Sequence, residues 1–176
     1  FYPTRGNFAT LADRRLLDCY RQLMEPSSIP LVRDRIEWDK LPPSEQGLEK
    51  VTEVWAAAGV QDWGTVISTA DQVLMAWAPG AAGSEEIAYL RGVALDEQGE
   101  GDEAVIAFGS VIGPFPGSNR TTAADAIRRS ARILAKAPER ERELKALVHI
   151  YAKSFGNGKL WNDATARMKE LLAEEL

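Results

Sequence analysis

A stretch in the middle of the chain most constrains what this sequence can fold into. Residues 86–116 read EIAYLRGVALDEQGEGDEAVIAFGSVIGPFP. Apolar residues recur there at helical spacing on both sides of Gly99, and Pro116 ends the second run because proline cannot continue a helix. Gly99 suits a tight turn, since glycine adopts turn conformations without steric cost. The stretch therefore predicts two short amphipathic helices joined by a turn.

This pattern resembles one repeat of the tetratricopeptide family. The family's signature is a small-residue turn followed by A-x3-F and then P, and it matches Ala104, Phe108 and Pro116. A small residue, Gly92, also lies inside the first helix. That helix departs from the family at three positions that usually hold Trp, Leu and Tyr, namely Ala88, Arg91 and Leu95. The resemblance implies an all-α fold, a right-handed stack of antiparallel helical hairpins (a TPR-like α-solenoid) that binds other proteins.

Helix pairs are also predicted on both sides of this stretch. Residues 44–78 carry two apolar stripes, with Ser44 and Asp62 as helix caps. Residues 122–156 have the same layout, with Pro138 at the start of their second helix. A final amphipathic pattern predicts a C-terminal capping helix, which a short solenoid needs to cover its last apolar face. Its apolar residues are Trp161, Ala164, Met168, Leu171 and Leu172.

The beginning of the chain predicts an arm with one helix and a proline-rich linker. Apolar residues at helical spacing run from Phe8 to Met24 and include Cys19, the only cysteine, which we expect to be a small buried hydrophobe. Four prolines follow in the rest of the arm, where at most one brief helix fits. The predicted division is an arm, 1–43, and a TPR-like helical repeat domain, 44–176. The arm packs either on the helical body or on another protein.

Charge is unevenly distributed along a chain whose net charge is −5. Residues 37–103 hold 14 acidic and 3 basic side chains, whereas residues 120–159 hold 10 basic and 4 acidic ones. A net-acidic chain does not favour general binding to nucleic acid or to an acidic membrane. The simplest interpretation of the asymmetry is solvated outer helix faces, and the alternative is electrostatic steering of a partner.

Two sets of residues are candidates for binding a protein partner. By the family resemblance and by helical phase, the concave inner surface would include Val51, Trp55, Tyr89, Val93 and Asp96. The alternative is that Trp55 and Tyr89 pack against the arm. The second set lies in the basic stretch 128–145 and begins with Arg128, Arg129, Arg132 and Lys136. It would dock on an acidic protein, on the acidic half of a second copy, or on nucleic acid, although no aromatic residue is interleaved to stack on bases.

No constellation of residues predicts catalysis, a metal site or a cofactor. His149 is the only histidine, and no second His or Cys completes a metal site with it. The run DEQGEG at 96–101 begins like a calcium loop but has Ala107 where the closing acid belongs. No Ser or Cys nucleophile lies in a recognisable arrangement with the histidine. We therefore expect a non-catalytic protein.

The sequence also bears on where and how the protein acts. It contains no run of about 18 apolar residues, so no membrane-spanning helix is predicted. The first residue is Phe1, so a removed presequence, with export or organelle import, fits as well as a trimmed chain. We expect a protein–protein interaction module that acts as an assembly factor or as a peripheral subunit of a larger complex. The alternative is a nucleic-acid-associated helical-repeat protein that uses the basic stretch 128–145.

Overall fold

Helices make up the regular structure in the part of the chain that the structure describes. The structure is a computed structural model, and it describes residues 5–41, 43–77, 81, 83–113 and 120–155. Every regular element in those ranges is helical, which confirms the all-α class for the described part of the chain. Its α-helices are α1 (Arg5–Leu23), α2 (Pro30–Arg33), α3 (Pro43–Gly59), α4 (Trp63–Ala76), α5 (Ser84–Gln98), α6 (Gly101–Ile112), α7 (Arg120–Leu134) and α8 (Glu141–Phe155). Short 3₁₀ helices lie at Pro26–Ser28, Trp38–Lys40 and Pro138–Arg140.

Backbone contacts divide the chain into two compact units. The first is Phe1–Leu90 and the second is Arg91–Leu176, so the division falls within α5. The arm predicted at 1–43 thus lies in the same unit as α3 and α4. The predicted capping helix at the C-terminus, like Pro116, lies outside the described residues.

In the first unit, the described part of the arm packs onto α3. Both α2 and the 3₁₀ helix Pro26–Ser28 contact α3, and α1 contacts α2. A Cβ added at Gly59, the last residue of α3, would collide with the carbonyl oxygen of Pro26. Only glycine permits this close approach. Among its described side chains, the arm buries the apolar residues Leu17, Ile29, Val32 and Ile36. Of the two roles left open for the arm, the structure shows packing within this chain.

Two predictions for this unit are wrong: the number of helical elements in the linker and the first residue of α3. The arm's linker forms α2 and two 3₁₀ helices, not at most one brief helix. Pro26 begins the first 3₁₀ helix and Pro30 begins α2, because proline's fixed φ suits the first helical position. Helix α3 begins at Pro43, one residue before the predicted cap Ser44. The prediction of Asp62 as the cap of α4 is confirmed, since its carboxylate accepts a hydrogen bond from the backbone N–H of Thr65 at 3.1 Å.

The hydrogen bonds of the Asp62 cap lead to a prediction about how its carboxyl group titrates. Hydrogen bonds from the Thr65 side chain and backbone lower the pKa of Asp62 below its ordinary value. A lowered carboxyl pKa stabilises the folded state above the pKa of the unfolded chain, and this contribution is lost as pH falls through the folded-state pKa. We expect an NMR titration to give Asp62 a lower midpoint than an unfolded-peptide aspartate. In the Thr65→Ala control the midpoint should rise, and equal midpoints in the two proteins would contradict the assignment.

The second unit has an apolar core between α6, α7 and α8. Helix α6 contacts α7, and α7 contacts α8. Ala104 and Phe108 of α6 are fully buried, as the repeat pattern predicts for them. The cluster on α7 and α8 comprises Ala124, Ile127, Ala131, Leu134, Leu144, Val148 and Tyr151.

Gly92 of α5 lies directly against the ring of Phe108 on α6. A Cβ added at Gly92 would lie 2.6 Å from Cε1 and 2.7 Å from Cδ1 of that ring. Real Cβ atoms do not approach aromatic carbons so closely, so the ring occupies the space that a larger residue would need. The glycine is therefore required by packing and not by backbone conformation.

Because of this contact, alanine at Gly92 and alanine at Gly109 should change the free energy of unfolding in opposite directions. Inside a helix, alanine is more favourable than glycine by about 1 kcal/mol. At Gly109 of α6 an added Cβ meets no atom within 4 Å, so Gly109→Ala should stabilise the protein by about that amount. At Gly92 the overpacking cost of about 1–3 kcal/mol should exceed the gain, making Gly92→Ala destabilising. Urea unfolding of both variants tests this, and stabilisation by Gly92→Ala would contradict it.

Candidate interaction surfaces

The predicted inner surface is largely covered in the structure. Val51, Trp55 and Tyr89 lie in the first unit, and all three side chains are buried. Val93 in the second unit is buried too, while Asp96 is partly buried and paired with arginines. These side chains offer little free area to another protein. Partner binding by this set stays a prediction.

Trp55 belongs to a polar cluster that fastens the arm. Its indole Nε1–H donates to Oε2 of Glu86 at 3.2 Å. Arg21 of α1 donates to the same carboxylate from Nε at 2.8 Å and from Nη2 at 2.6 Å to Oε1. Only 12% of the Arg21 side chain and 27% of the Glu86 side chain are exposed. Trp55 and Arg21 of the arm are thus linked through one carboxylate, whereas packing of Trp55 against the arm stays a prediction.

Other charged residues, on the same side of α1 as Arg21, also form ion pairs within the first unit. Arg35 pairs with Asp13 at 2.7 Å, and Arg21 pairs with Asp18 at 3.4 Å within α1. Leu17 is the buried apolar residue of α1 among the described side chains. Helix α1 is thus attached mainly through its polar side.

The opposite side of α1 carries an exposed apolar row, here called the α1 stripe. It consists of Ala12, Leu16, Cys19 and Leu23, all of which are exposed. Successive members are four, three and four residues apart, which places them on one face of a helix. Leu23 is 66% exposed, and Leu11 is a further exposed leucine beside the stripe. The prediction that Cys19 is buried is wrong, because the helix docks with the other side inward.

The predicted basic stretch is paired with acids of its own unit. Arg129 donates to Asp125 at 3.0 Å and to Asp96 at 2.8 Å, and Arg132 donates to the same Asp96 oxygen at 2.8 Å. Arg128 also binds Asp125, from Nε at 3.1 Å. These pairs neutralise much of the positive charge that the sequence displays. They link α7 to the last turns of α5 and favour a structural role for the three arginines.

Farther along the stretch, pairing continues around Arg140. Its guanidinium binds Glu143 and Asp102, and its hydrogen bonds lower the pKa of the Glu143 carboxyl. Lys136 is exposed, as is His149 on α8. Lys136 therefore contributes charge to the surface more directly than the three arginines before it do.

Two open clefts lie in the first unit. One has a volume of about 380 Å³ and is lined by residues of α2, α3, α4 and the α3–α4 connection, including Arg33, Glu53 and Val60. The other, about 590 Å³, lies beside Trp38. Its remaining lining residues are Ile36, Glu37, Asp39 and Glu49. Both clefts are open to solvent, unlike the enclosed pockets that usually hold small molecules.

Neither a metal site nor a membrane-spanning helix is found among the described residues. Within the described ranges, no group of three or more His, Cys, Asp or Glu side chains is arranged to hold a metal ion. None of the helices in those ranges has the length and apolar character needed to cross a membrane. Comparison of the chain with family models, curated proteins and solved structures found no match in any of the three.

Proposed function

We propose that this chain is a non-catalytic protein–protein interaction module, acting as an assembly factor or as a peripheral subunit of a larger complex. The observation that carries the proposal is the α1 stripe. Exposed apolar surface costs about 25 cal/mol per Å² relative to burial, and contiguous patches of it mark interaction sites. Helix α1 is held in place on its opposite side, where Arg21 donates hydrogen bonds to Glu86. The stripe is therefore exposed on a supported helix.

The scaffold that we propose behind this surface is a short TPR-like stack of helical hairpins. Helices next to each other along the chain pack together: α3 with α4, α6 with α7 and α7 with α8. In the stretch that resembles the repeat, the small residues Gly92 and Ala104 and the large Phe108 are all buried. These features support a fold in which successive helix pairs cover one another's apolar stripes.

Site-specific photo-crosslinking tests the proposed function. A photoreactive amino acid is introduced at Leu23 and, as the matched control, at Met75 of α4, which is 88% exposed. We expect irradiation of cells making the protein to give a discrete adduct from position 23 and none of that size from position 75. Leu16→Glu in the same chain should abolish the adduct. Identical adducts from both positions, or none from position 23, would overturn the proposal.

A further inference from the structure

We propose that this chain forms an arm-exchanged dimer, in which α1 of each copy docks on the first unit of a second copy instead of on its own. The exchange turns on the two residues between α1 and Pro26, namely Met24 and Glu25, here called the hinge. It uses the inward side of α1 and not the α1 stripe. The inference therefore goes beyond the proposed function and does not depend on it.

Met24 holds the hinge in a conformation that favours glycine. Its φ is 57°, in the left-handed region, where the Cβ of any other residue crowds the following carbonyl oxygen. The Met24 N–H donates to the carbonyl oxygen of Arg21 at 3.1 Å. The Glu25 N–H donates to the carbonyl oxygen of Tyr20 at 2.9 Å. These bonds fix a bend that carries strain at Met24, and rotation of this residue to negative φ relieves it.

The chain that follows the hinge is anchored to its own unit. Pro26 lies so close to Gly59 at the end of α3 that a Cβ added at Gly59 would collide with its carbonyl oxygen. Pro26 also disfavours a helical backbone at Glu25, the residue before it, so α1 cannot simply continue into the next element. A rotation of Met24 therefore redirects α1 as a rigid body while Pro26 stays in place.

The described contacts of α1 are ones that a second copy can offer equally well. Arg21 donates to Glu86 of α5, and Asp13 pairs with Arg35. Helix α1 also contacts α2 and the 3₁₀ helix that begins at Pro26. These partners all follow the hinge in the sequence. Closed and exchanged arms thus make the same contacts and differ mainly at the hinge, which makes exchange a low-cost route to a dimer.

A second left-handed residue shows why strain alone does not open a connection. Gln61, between α3 and α4, has a φ of 58° and the same pattern of cap hydrogen bonds as Met24. Helices α3 and α4 pack on each other, and α4 buries Val66, Ala70 and Val73. Among the described side chains of α1, by contrast, Leu17 is the buried apolar residue. Similar strain is therefore held by extensive apolar packing at Gln61 and by few apolar contacts at Met24.

The hinge sets the concentration at which we expect dimers. A segment on a short linker competes for its site at an effective concentration on the order of 1 mM. Relief of left-handed strain favours the exchanged arm by roughly tenfold per hinge, and a dimer contains two hinges. The expected dissociation constant is therefore on the order of 10 µM.

Complementary charge reversal tests the exchange on the full chain. Arg21→Glu in one preparation and Glu86→Arg in another each set like charges against each other, in the closed monomer and in the exchanged homodimer. In the mixed dimer, the substituted α1 of one variant meets the substituted α5 of the other, and the second site keeps the original Arg21–Glu86 pair. Only the mixed exchanged dimer therefore has opposite charges at both sites.

Sedimentation velocity at about 50 µM measures the result. We expect the equimolar mixture to dimerise at least about tenfold more tightly than either variant alone, with the helical circular dichroism of each variant preserved. A mixture that associates no more than its separate components would overturn the inference, as would an unsubstituted chain that stays monomeric up to about 1 mM.

Hinge variants give an independent test that leaves the docking contacts intact. Met24→Gly relieves the strain while the arm stays closed, so it should weaken dimerisation at least about tenfold. Gln61→Gly is the matched control, because it relieves the same strain in a connection that does not open, and it should change dimerisation less than about twofold. Equal effects of the two substitutions would show that the hinge does not control association.

The inference and the proposed function fail separately. A discrete adduct between position 23 and a different protein, from a chain that is monomeric in solution, supports the interaction module and overturns the exchange. Mixed dimers from the charge-reversed variants, without any adduct from position 23, support the exchange and overturn the proposed role of the α1 stripe.

Discussion

Replacing Phe108 with alanine should lower the free energy of unfolding by about 3–5 kcal/mol. The ring is fully buried on α6 and lies against Gly92 of α5, so its removal opens a cavity beside a residue that has no side chain to fill it. Urea unfolding followed by circular dichroism measures the change.

The matched control for this prediction is Ile106→Ala on the same helix. Ile106 is 71% exposed, so its truncation should change the free energy of unfolding by less than about 0.5 kcal/mol. A loss below about 1 kcal/mol for Phe108→Ala would show that the ring does not hold the second unit together.

The second large effect is expected at Glu86. Its carboxylate accepts hydrogen bonds from Arg21 and from Trp55, and Arg21 is nearly covered. Glu86→Ala removes the acceptor of the Trp55 indole N–H and of Arg21 Nε and Nη2 in a site with little access to water, and leaves the guanidinium only Asp18 at 3.4 Å. We expect a loss of about 2–3 kcal/mol, and hydrogen exchange in α1 should accelerate more than in α6.

Two controls make the Glu86 prediction specific. Glu85 precedes it on α5, so Glu85→Ala changes the same charge and helix composition, and a change within about 0.5 kcal/mol is expected. A double-mutant cycle with Arg21→Met should give a coupling of at least about 1 kcal/mol. Additive effects of the two substitutions would show that the Arg21–Glu86 contact does not stabilise the folded protein.

Much of the helical framework could be predicted from the sequence because local signals decide it. The runs around Gly99 and the cap at Asp62 are set by periodicity and turn chemistry within a few residues. The burial of Ala104 and Phe108 follows from the same periodicity. Two short turns of the arm also carry a local signal, since Pro26 and Pro30 occupy their first helical positions, whereas the turn Trp38–Lys40 begins without a proline.

The orientation of α1 could not be predicted in this way. A helix with an apolar stripe is expected to turn that stripe inward, and on that rule Cys19 is buried. The rule failed because Arg21 finds its acceptor on Glu86, which is 65 residues away in the sequence. The signal that sequence reasoning missed was the set of charged residues on one side of α1 around the buried Leu17, namely Asp13, Arg14, Asp18 and Arg21.

The basic stretch shows a similar limit. A count of arginines suggests a positive surface, but the counts do not say which arginines already have acids beside them. Asp125 is four residues before Arg129 on α7, a spacing that predicts their contact. Asp96 lies on a different helix, so its bonds to Arg129 and Arg132 depend on tertiary structure. The sequence therefore overstates the charge that a nucleic acid would meet.

The attachment of α1 through charged side chains has a consequence for the conditions under which the protein works. Added electrolyte weakens an exposed ion pair such as Arg35–Asp13, in which the Arg35 side chain is 55% exposed, more than it weakens the covered Arg21–Glu86 contact or apolar packing. Raising the ionic strength should therefore loosen the N-terminal helix while the aliphatic interior around Leu134 and Val148 stays intact. The ionic strength would then determine how rigidly α1 holds its exposed leucines at the protein surface.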